Sequence, residues 1–306
     1  MRSGVLFGLL GAGLVAVWVS SRPNSQSASA PVDRAALSVI AEEHLPAVGD
    51  SAAILDLRTG ALLLQHHPEA VQRAHILPGS VMKLFTGYAL LEAGRAEEMT
   101  LCEGRHQGPL GPARPCWDQR GHGPMRLRTA ISESCNVWFY AQSAQLEAAQ
   151  VLSTYQRFAL GQAWPPGRLR GGTVHRDIVP AKLPARDLPD VVVGDHVSLR
   201  VTPLSLLRAV SVIATQGMMI EPQSEPTEGQ LAPRRTDLDP GGLSLIAEGM
   251  REAVLSGTLQ AVFPASLPVA AKTGTAKKYQ SRGTRGLVLG FVPAQSPRYA
   301  FVVVKD

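Results

Sequence analysis

The chain has 306 residues, of which 45% are hydrophobic and 18% charged, an ordinary globular composition long enough for one large core or two lobes. Its formal net charge of +5 suits an anionic surface such as a wall polymer or phospholipid headgroups. No basic helix with interleaved aromatics occurs, so nucleic acid is set aside as a partner.

Arg2 precedes an apolar run from Val5 to Val19, and a polar stretch follows from Ser20 to Ala30. That order predicts an export segment over residues 1–20: an uncleaved membrane anchor or, with Ala28-Ser29-Ala30 resembling a cleavage site, a signal peptide. Residues 21–32 read as linker, and residues 33–306 as the exported domain. Asp33 is expected to cap a helix from Arg34 to Leu45. Two strands, Ser51 to Leu57 and Ala61 to Gln65, pair through a turn at Arg58-Thr59-Gly60. Pro78-Gly79 then stops the chain, and Val81, Leu84, Phe85, Tyr88 and Leu91 carry helical spacing from Ser80 to Ala93.

Residues 100–126, rich in Gly, Pro, Arg and His, read as a loop. A helix is predicted from Ala130 to Ala148 with Thr129 as its cap, and another from Glu147 to Leu160. Residues 161–201 are irregular. Thr202-Pro203 opens a helix to Thr215, and Asp239-Pro240 one to Leu255. Strands close the chain at Val269 to Thr275, Gly286 to Pro293 and Tyr299 to Lys305. Strands at both ends with helices between predict an α/β (α+β) fold. One antiparallel sheet would be built from both termini and flanked by helices, with an all-helical lobe inserted over about residues 85–240.

Three short motifs carry chemistry. In Ser80-Val81-Met82-Lys83 the serine and lysine stand one helical turn apart, and only six lysines occur in the chain. A serine hydroxyl needs a base to become a nucleophile, and a helix N-terminus offers N–H groups to a developing oxyanion. Ser134-Cys135-Asn136 holds one of only two asparagines. Lys272-Thr273-Gly274-Thr275 lies on a predicted strand. Each alone is weak; a capped helix, a polar helix face and a strand with a turn glycine would explain them. All three in this order are a specific pattern.

The pattern resembles the transpeptidase domain of penicillin-binding proteins, most of all the monofunctional elongation-type enzymes. The resemblance spans roughly Val32 to Asp306. It includes Pro78-Gly79-Ser80, Gly121-His122-Gly123, Val201-Thr202-Pro203-Leu204, Gly290-Phe291-Val292-Pro293 and Pro297-Arg298-Tyr299-Ala300. It implies a penicillin-binding, β-lactamase-like fold and a peptidoglycan D,D-transpeptidase acting through an acyl-Ser80 intermediate. In that reading Lys83 is the base, Ser134 relays a proton, and Asn136 holds Lys83 or the substrate backbone. Lys272 with Thr273, Gly274 and Thr275 receives the terminal carboxylate and completes the oxyanion hole. The implied partners are peptidoglycan stem peptides, β-lactams, the inner membrane through the N-terminal segment, and a separate glycan polymerase. Catalysis needs no cofactor. Two departures fall near the family's cleft: Gly194-Asp195-His196 where Gly-Gln-Gly is usual, and Leu287-Val288 where an aromatic pair is usual. A third is that only residues 1–32 precede the domain, where elongation enzymes carry a large pedestal.

Cys102, Cys116 and Cys135 lie in one stretch with His122. Three sulfurs and an imidazole suit tetrahedral Zn²⁺, and some elongation-type transpeptidases carry a structural zinc on a histidine and a cysteine at the positions of His122 and Cys135. A Cys102–Cys116 disulfide is the alternative for an exported chain. Competing functions are a D,D-carboxypeptidase, a class D-like β-lactamase, and a non-catalytic β-lactam sensor or scaffold. A class A β-lactamase is disfavoured because no asparagine follows Asn136.

Overall fold

The computed structural model describes residues 32–108, 112–165, 167–170, 173–224, 233–278 and 282–306. The expected anchor, the cleavage-like tripeptide and nearly all of the linker lie outside these residues. Among the described residues no helix is long and apolar enough to cross a membrane.

The first helix, α1 (Arg34–His44), is capped as expected: Asp33 Oδ1 accepts from the Ala36 N–H at 3.0 Å. Strands β1 (Ser51–Asp56) and β2 (Leu62–His66) form the predicted hairpin, with Gly60 at φ +73 supplying the left-handed turn residue. Helix α2 (Pro68–Arg73) leads to a 3₁₀ turn at Gly79–Val81, and α3 (Met82–Glu92) follows. The stretch read as loop holds four short strands: β3 (Thr100–Cys102) pairs with β6 (Gly123–Met125), and β4 (Arg105–His106) with β5 (Arg114–Pro115).

The single helix expected over residues 130–148 is two helices. Helix α4 (Leu127–Ser132) ends before Ser134, and α5 (Asn136–Ser143) begins after Cys135. Ser134 sits at φ +53, which no helix accommodates. Thr129 is not the cap; it stands in the first turn, where its Oγ1 accepts from the Arg126 N–H at 3.0 Å. Next come α6 (Ala148–Arg157), the short α7 (Leu188–Val192) and α8 (Pro203–Ala214), with Thr202 Oγ1 accepting from the Ser205 N–H. A two-residue pairing of β7 (Met218–Met219) and β8 (Arg234–Arg235) precedes α9 (Pro240–Leu255), which Asp239 caps at 2.7 Å. Strands β9 (Ala270–Lys277), β10 (Thr284–Val292) and β11 (Tyr299–Lys305) complete the chain.

The main sheet has the order β2-β1-β11-β10-β9, with every pairing antiparallel. The C-terminal strand therefore lies beside the first, as two strand-rich ends of one chain required. Both faces are buried. Ala53, Leu55, Leu289, Phe291 and Val302 point into the main core, while Ala52, Ile54, Val288, Phe301 and Val303 face a smaller outer core with Leu37 and Phe263. The period of two thus sorts each strand between two interiors. At roughly 1.5–3 kcal/mol per large buried side chain, these two layers are the main source of stability. Helix α8 is buried along its whole length, its apolar side chains in the main core and its Arg208 paired with Glu221 and the Ala159 carbonyl. Helices α3, α4 and α9 meet at Gly87, where a Cβ would stand 3.0 Å from Leu127 and 3.3 Å from Ile246. That close crossing explains a glycine in mid-helix.

Candidate active site

Ser80 stands in the middle of the 3₁₀ turn, half-buried, two residues before α3 begins rather than inside the helix. Gly79 takes φ +56, and a Cβ there would lie 2.8 Å from the Thr275 carbonyl oxygen. A Cβ on Gly274 would lie 2.8 Å from the Pro78 carbonyl oxygen. The serine turn and β9 therefore approach backbone to backbone, which only glycines allow. The Gly79 N–H donates to the Gly194 carbonyl at 3.0 Å, fixing the other side of the turn. Ser80 Oγ has no hydrogen-bond partner among the described residues.

Lys83, in the first turn of α3, is fully buried. Its Nζ donates to the Ser134 carbonyl at 2.6 Å and to Asn136 Oδ1 at 2.5 Å, with Ser134 Oγ at 3.4 Å. Burial pulls its pKa down to about 8, against the opposing pull of Cys135, Cys116 and Asp195. Lys272, on β9 and also fully buried, donates to Ser134 Oγ at 2.8 Å and to the Thr273 carbonyl at 3.0 Å. Its pKa falls well below the ordinary lysine value, first through burial and then through Lys83; Glu133 opposes the fall. Two buried ammonium groups facing one hydroxyl repel each other, so the site favours having one of them neutral.

The break at Ser134 is what brings this about. The left-handed residue turns the chain so that Ser134 Oγ and carbonyl and Asn136 Oδ1 all face Lys83. The three motifs, 195 positions apart from Ser80 to Thr275, thus meet at one site. Two further residues join them without a motif to mark them. Thr258 donates its Oγ1 to the Ser132 carbonyl at 3.3 Å and lies 3.5 Å from Thr273 Oγ1, behind β9. Asp195 follows the glycine that holds the serine turn. The sequence signal for Asp195 was its departure from the usual Gly-Gln-Gly; for Thr258 there was none.

The cysteines and His122 also converge. Cys102 ends β3, Cys116 follows β5, His122 precedes β6 and Cys135 separates α4 from α5. Their ligand atoms all lie within 4.8 Å of one another. The cysteines are free thiols, so the Cys102–Cys116 disulfide is not formed. His122 Nδ1 is 3.5 Å from both Cys102 Sγ and Cys116 Sγ. Zn²⁺ bonds of about 2.0 Å to nitrogen and 2.3 Å to sulfur give tetrahedral N···S edges of about 3.5 Å, so the donor set fits that ion. The Cys116 thiol is pushed far down by hydrogen bonding with Cys135 and with His122, while Cys135 is pushed up. Burial alone would lower the His122 pKa, but the two sulfurs beside it raise it to about 9. The Asn136 N–H donates to Cys116 Sγ at 3.3 Å, so the cluster touches the catalytic-motif asparagine directly.

A family model described as penicillin binding protein transpeptidase domain matches residues 51–306. The peptidoglycan D,D-transpeptidase MrdA of Acinetobacter baumannii is 25% identical over 222 residues, covering 61% of this chain and 32% of that protein. The peptidoglycan D,D-transpeptidase FtsI of Escherichia coli (strain K12) is 25% identical over 285 residues, covering 83% of this chain and 46% of that protein. The chain thus spans less than half the length of these curated relatives. The transpeptidase domain of Burkholderia pseudomallei penicillin-binding protein 3 superposes with a TM-score of 0.77 at 22% identity, over 89% of this chain and 84% of that one.

Proposed function

The chain belongs to the penicillin-binding protein transpeptidase domain family, and from that premise we propose that it is a serine D,D-transpeptidase that crosslinks peptidoglycan stem peptides and is acylated by β-lactams. The observation that carries the reading is the meeting of Lys83, Ser134, Asn136 and Lys272 beside the Ser80 turn. In this reading residues 33–306 are the catalytic domain, with the helical lobe of about 85–240 closing one side of the cleft. Residues 1–20 hold it at the outer face of the inner membrane, or direct it to the periplasm after cleavage.

The chemistry follows from the geometry. Neutral Lys83 takes the Ser80 hydroxyl proton as Oγ attacks the carbonyl carbon of the penultimate D-alanine. The oxyanion is received by the Ser80 and Thr275 N–H groups, at the contact that Gly79 and Gly274 make possible. Lys272 and Thr273 attract the terminal carboxylate. The proton passes from Lys83 through Ser134 Oγ to the departing D-alanine nitrogen as the C–N bond breaks, leaving the acyl ester on Ser80. A stem-peptide amine then attacks the ester, its proton returns to Ser80 Oγ, and the crosslink forms.

Cys102, Cys116, His122 and Cys135 would hold a structural Zn²⁺. Bound there, the ion would supply no reacting group and would tie the ends of β3 and β5 and the residue before β6 to the turn bearing Ser134 and Asn136. In this reading a separate polymerase supplies the nascent glycan. Digestion products of the full-length protein with a pentapeptide muropeptide test the assignment. Crosslinked dimers support it; tetrapeptide alone would make the protein a D,D-carboxypeptidase.

A further inference from the structure

Gly194 carries the residue that precedes the nucleophile. Beyond the hydrogen bond from the Gly79 N–H, a Cβ on Gly194 would stand 2.1 Å from the Gly79 carbonyl oxygen. Asp195 is therefore one residue from a backbone contact with the serine turn, and its own N–H donates to the Asp190 carbonyl at 2.9 Å. The position is locked on both sides.

Asp195 is an exposed residue, and among the described residues no hydrogen bond or ion pair engages its carboxylate. Its acidic neighbours differ: Asp190 pairs with Arg114 at 3.3 Å, and Asp187 has His196 at 3.9 Å. The charged groups that act on Asp195 are Lys83 on the cleft floor, Lys277 at the end of β9, and Asp190. Crowding by the surrounding protein is the largest influence and raises its pKa; the two lysines oppose that rise. The carboxylate also raises the pKa of Tyr140 on α5. It thus lies within electrostatic reach of Lys83 and Tyr140, one residue from the serine-turn contact, and is exposed. The site has a polarity: the buried Lys272 amine at Ser134 and Thr273, and an exposed carboxylate near the serine turn.

We propose that Asp195 is a specificity residue that receives the side-chain ammonium group of an amine-bearing stem peptide. This deepens the transpeptidase reading and rests on it. A substrate with a terminal carboxylate and an amine further back along its chain matches the polarity from end to end. A family amide at this position could hydrogen-bond a substrate but could not neutralise an ammonium. The amine could belong to the peptide being attacked or to the one that accepts the acyl group; the chemistry is the same.

The test uses the full-length Ser80→Ala protein, which binds without reacting, and calorimetry. One arm titrates a stem pentapeptide ending in a free carboxylate, with its side-chain amine free or acetylated. The other titrates the same pair amidated at the C-terminus, which mimics an acceptor. The expected result is a preference for the free amine of roughly fivefold in one arm, the size of one partly exposed ion pair. Asp195→Asn in that background reduces the preference to below twofold, and Asp195→Glu retains it. The arm that shows it identifies the amine's source. No preference in either arm, or a preference that survives Asp195→Asn, overturns the proposal. Failure of the underlying reading shows separately, as wild-type protein that forms no penicillin adduct.

Discussion

Lys272 Nζ donates to Ser134 Oγ at 2.8 Å, joining an edge strand of the sheet to the break between two helices of the other lobe. With Lys83 Nζ 3.4 Å from the same oxygen, Ser134 stands between two buried amines and is, among the described residues, the only hydroxyl hydrogen-bonded to both. Ser134→Ala should lower the rate of acylation by fluorescent penicillin about 10²–10³-fold, the usual worth of a positioned proton carrier. Ser134→Gly should lose as much while melting above Ser134→Ala, because both leave Lys272 without its hydroxyl partner but only glycine accepts φ +53 without strain. Stopped-flow fluorescence and thermal melts check the pair. Equal acylation by Ser134→Ala would remove the relay.

The depressed Lys83 pKa makes acylation pH-dependent. Below about 8 the amine is protonated and cannot accept the Ser80 proton. The acylation rate constant should therefore rise as pH climbs through 8 and level off above it. Stability moves in the same direction. The unfolded chain holds this proton up to the ordinary value of 10.5, so between about 8 and 10.5 it binds more protons than the folded state, and folding gains as pH rises. A flat rate profile from pH 6 to 9 would assign the base elsewhere.

Metal analysis of the purified protein should find about one zinc per chain, the stoichiometry of a single four-ligand site. Cys116→Ser should lower that content and the melting temperature together, since metal-binding energy is also folding energy. Chelation should slow penicillin acylation as well, because Cys116 Sγ accepts the Asn136 N–H and Asn136 Oδ1 holds Lys83. Zinc-free protein with unaltered melting would reject the metal.

Gly79→Ala places a methyl 2.8 Å from the Thr275 carbonyl on a residue at φ +56. The backbone cost alone is of order 1–3 kcal/mol, and the clash forces β9 away from the serine turn. Denaturant melts should show that loss, with acylation falling more than stability does because the oxyanion N–H groups separate. The same substitution at Gly94, at φ +72 but with open space around it, should cost only the backbone term.

Much of this was legible from residue patterns. The caps at Asp33, Thr202 and Asp239 and the strands at both ends follow local rules that tertiary structure left intact. The helix from 130 to 148 failed because its apolar spacing continues through Ser134, while the break depends on long-range partners. Ser134 is held in a left-handed conformation by Lys83 and Lys272, which lie 51 and 138 positions away. The strands inside 100–126 are two or three residues long, too short to show a period. The cysteine set was readable by residue type; its convergence through β3, β5 and the α4–α5 break was not. Asp195 stands out as a change of residue, but only the contact of its neighbour Gly194 with Gly79 gives it a place.

Ser80 is the nucleophile of the proposed reaction. Intact-protein mass spectrometry after brief exposure to benzylpenicillin, followed by peptide mapping, tests this most directly. The expected result is one penicilloyl group per chain, on the peptide containing Ser80, absent from Ser80→Ala and slow to leave. Folded wild-type protein with no adduct, an adduct that persists in Ser80→Ala, or rapid turnover of the penicillin would contradict it.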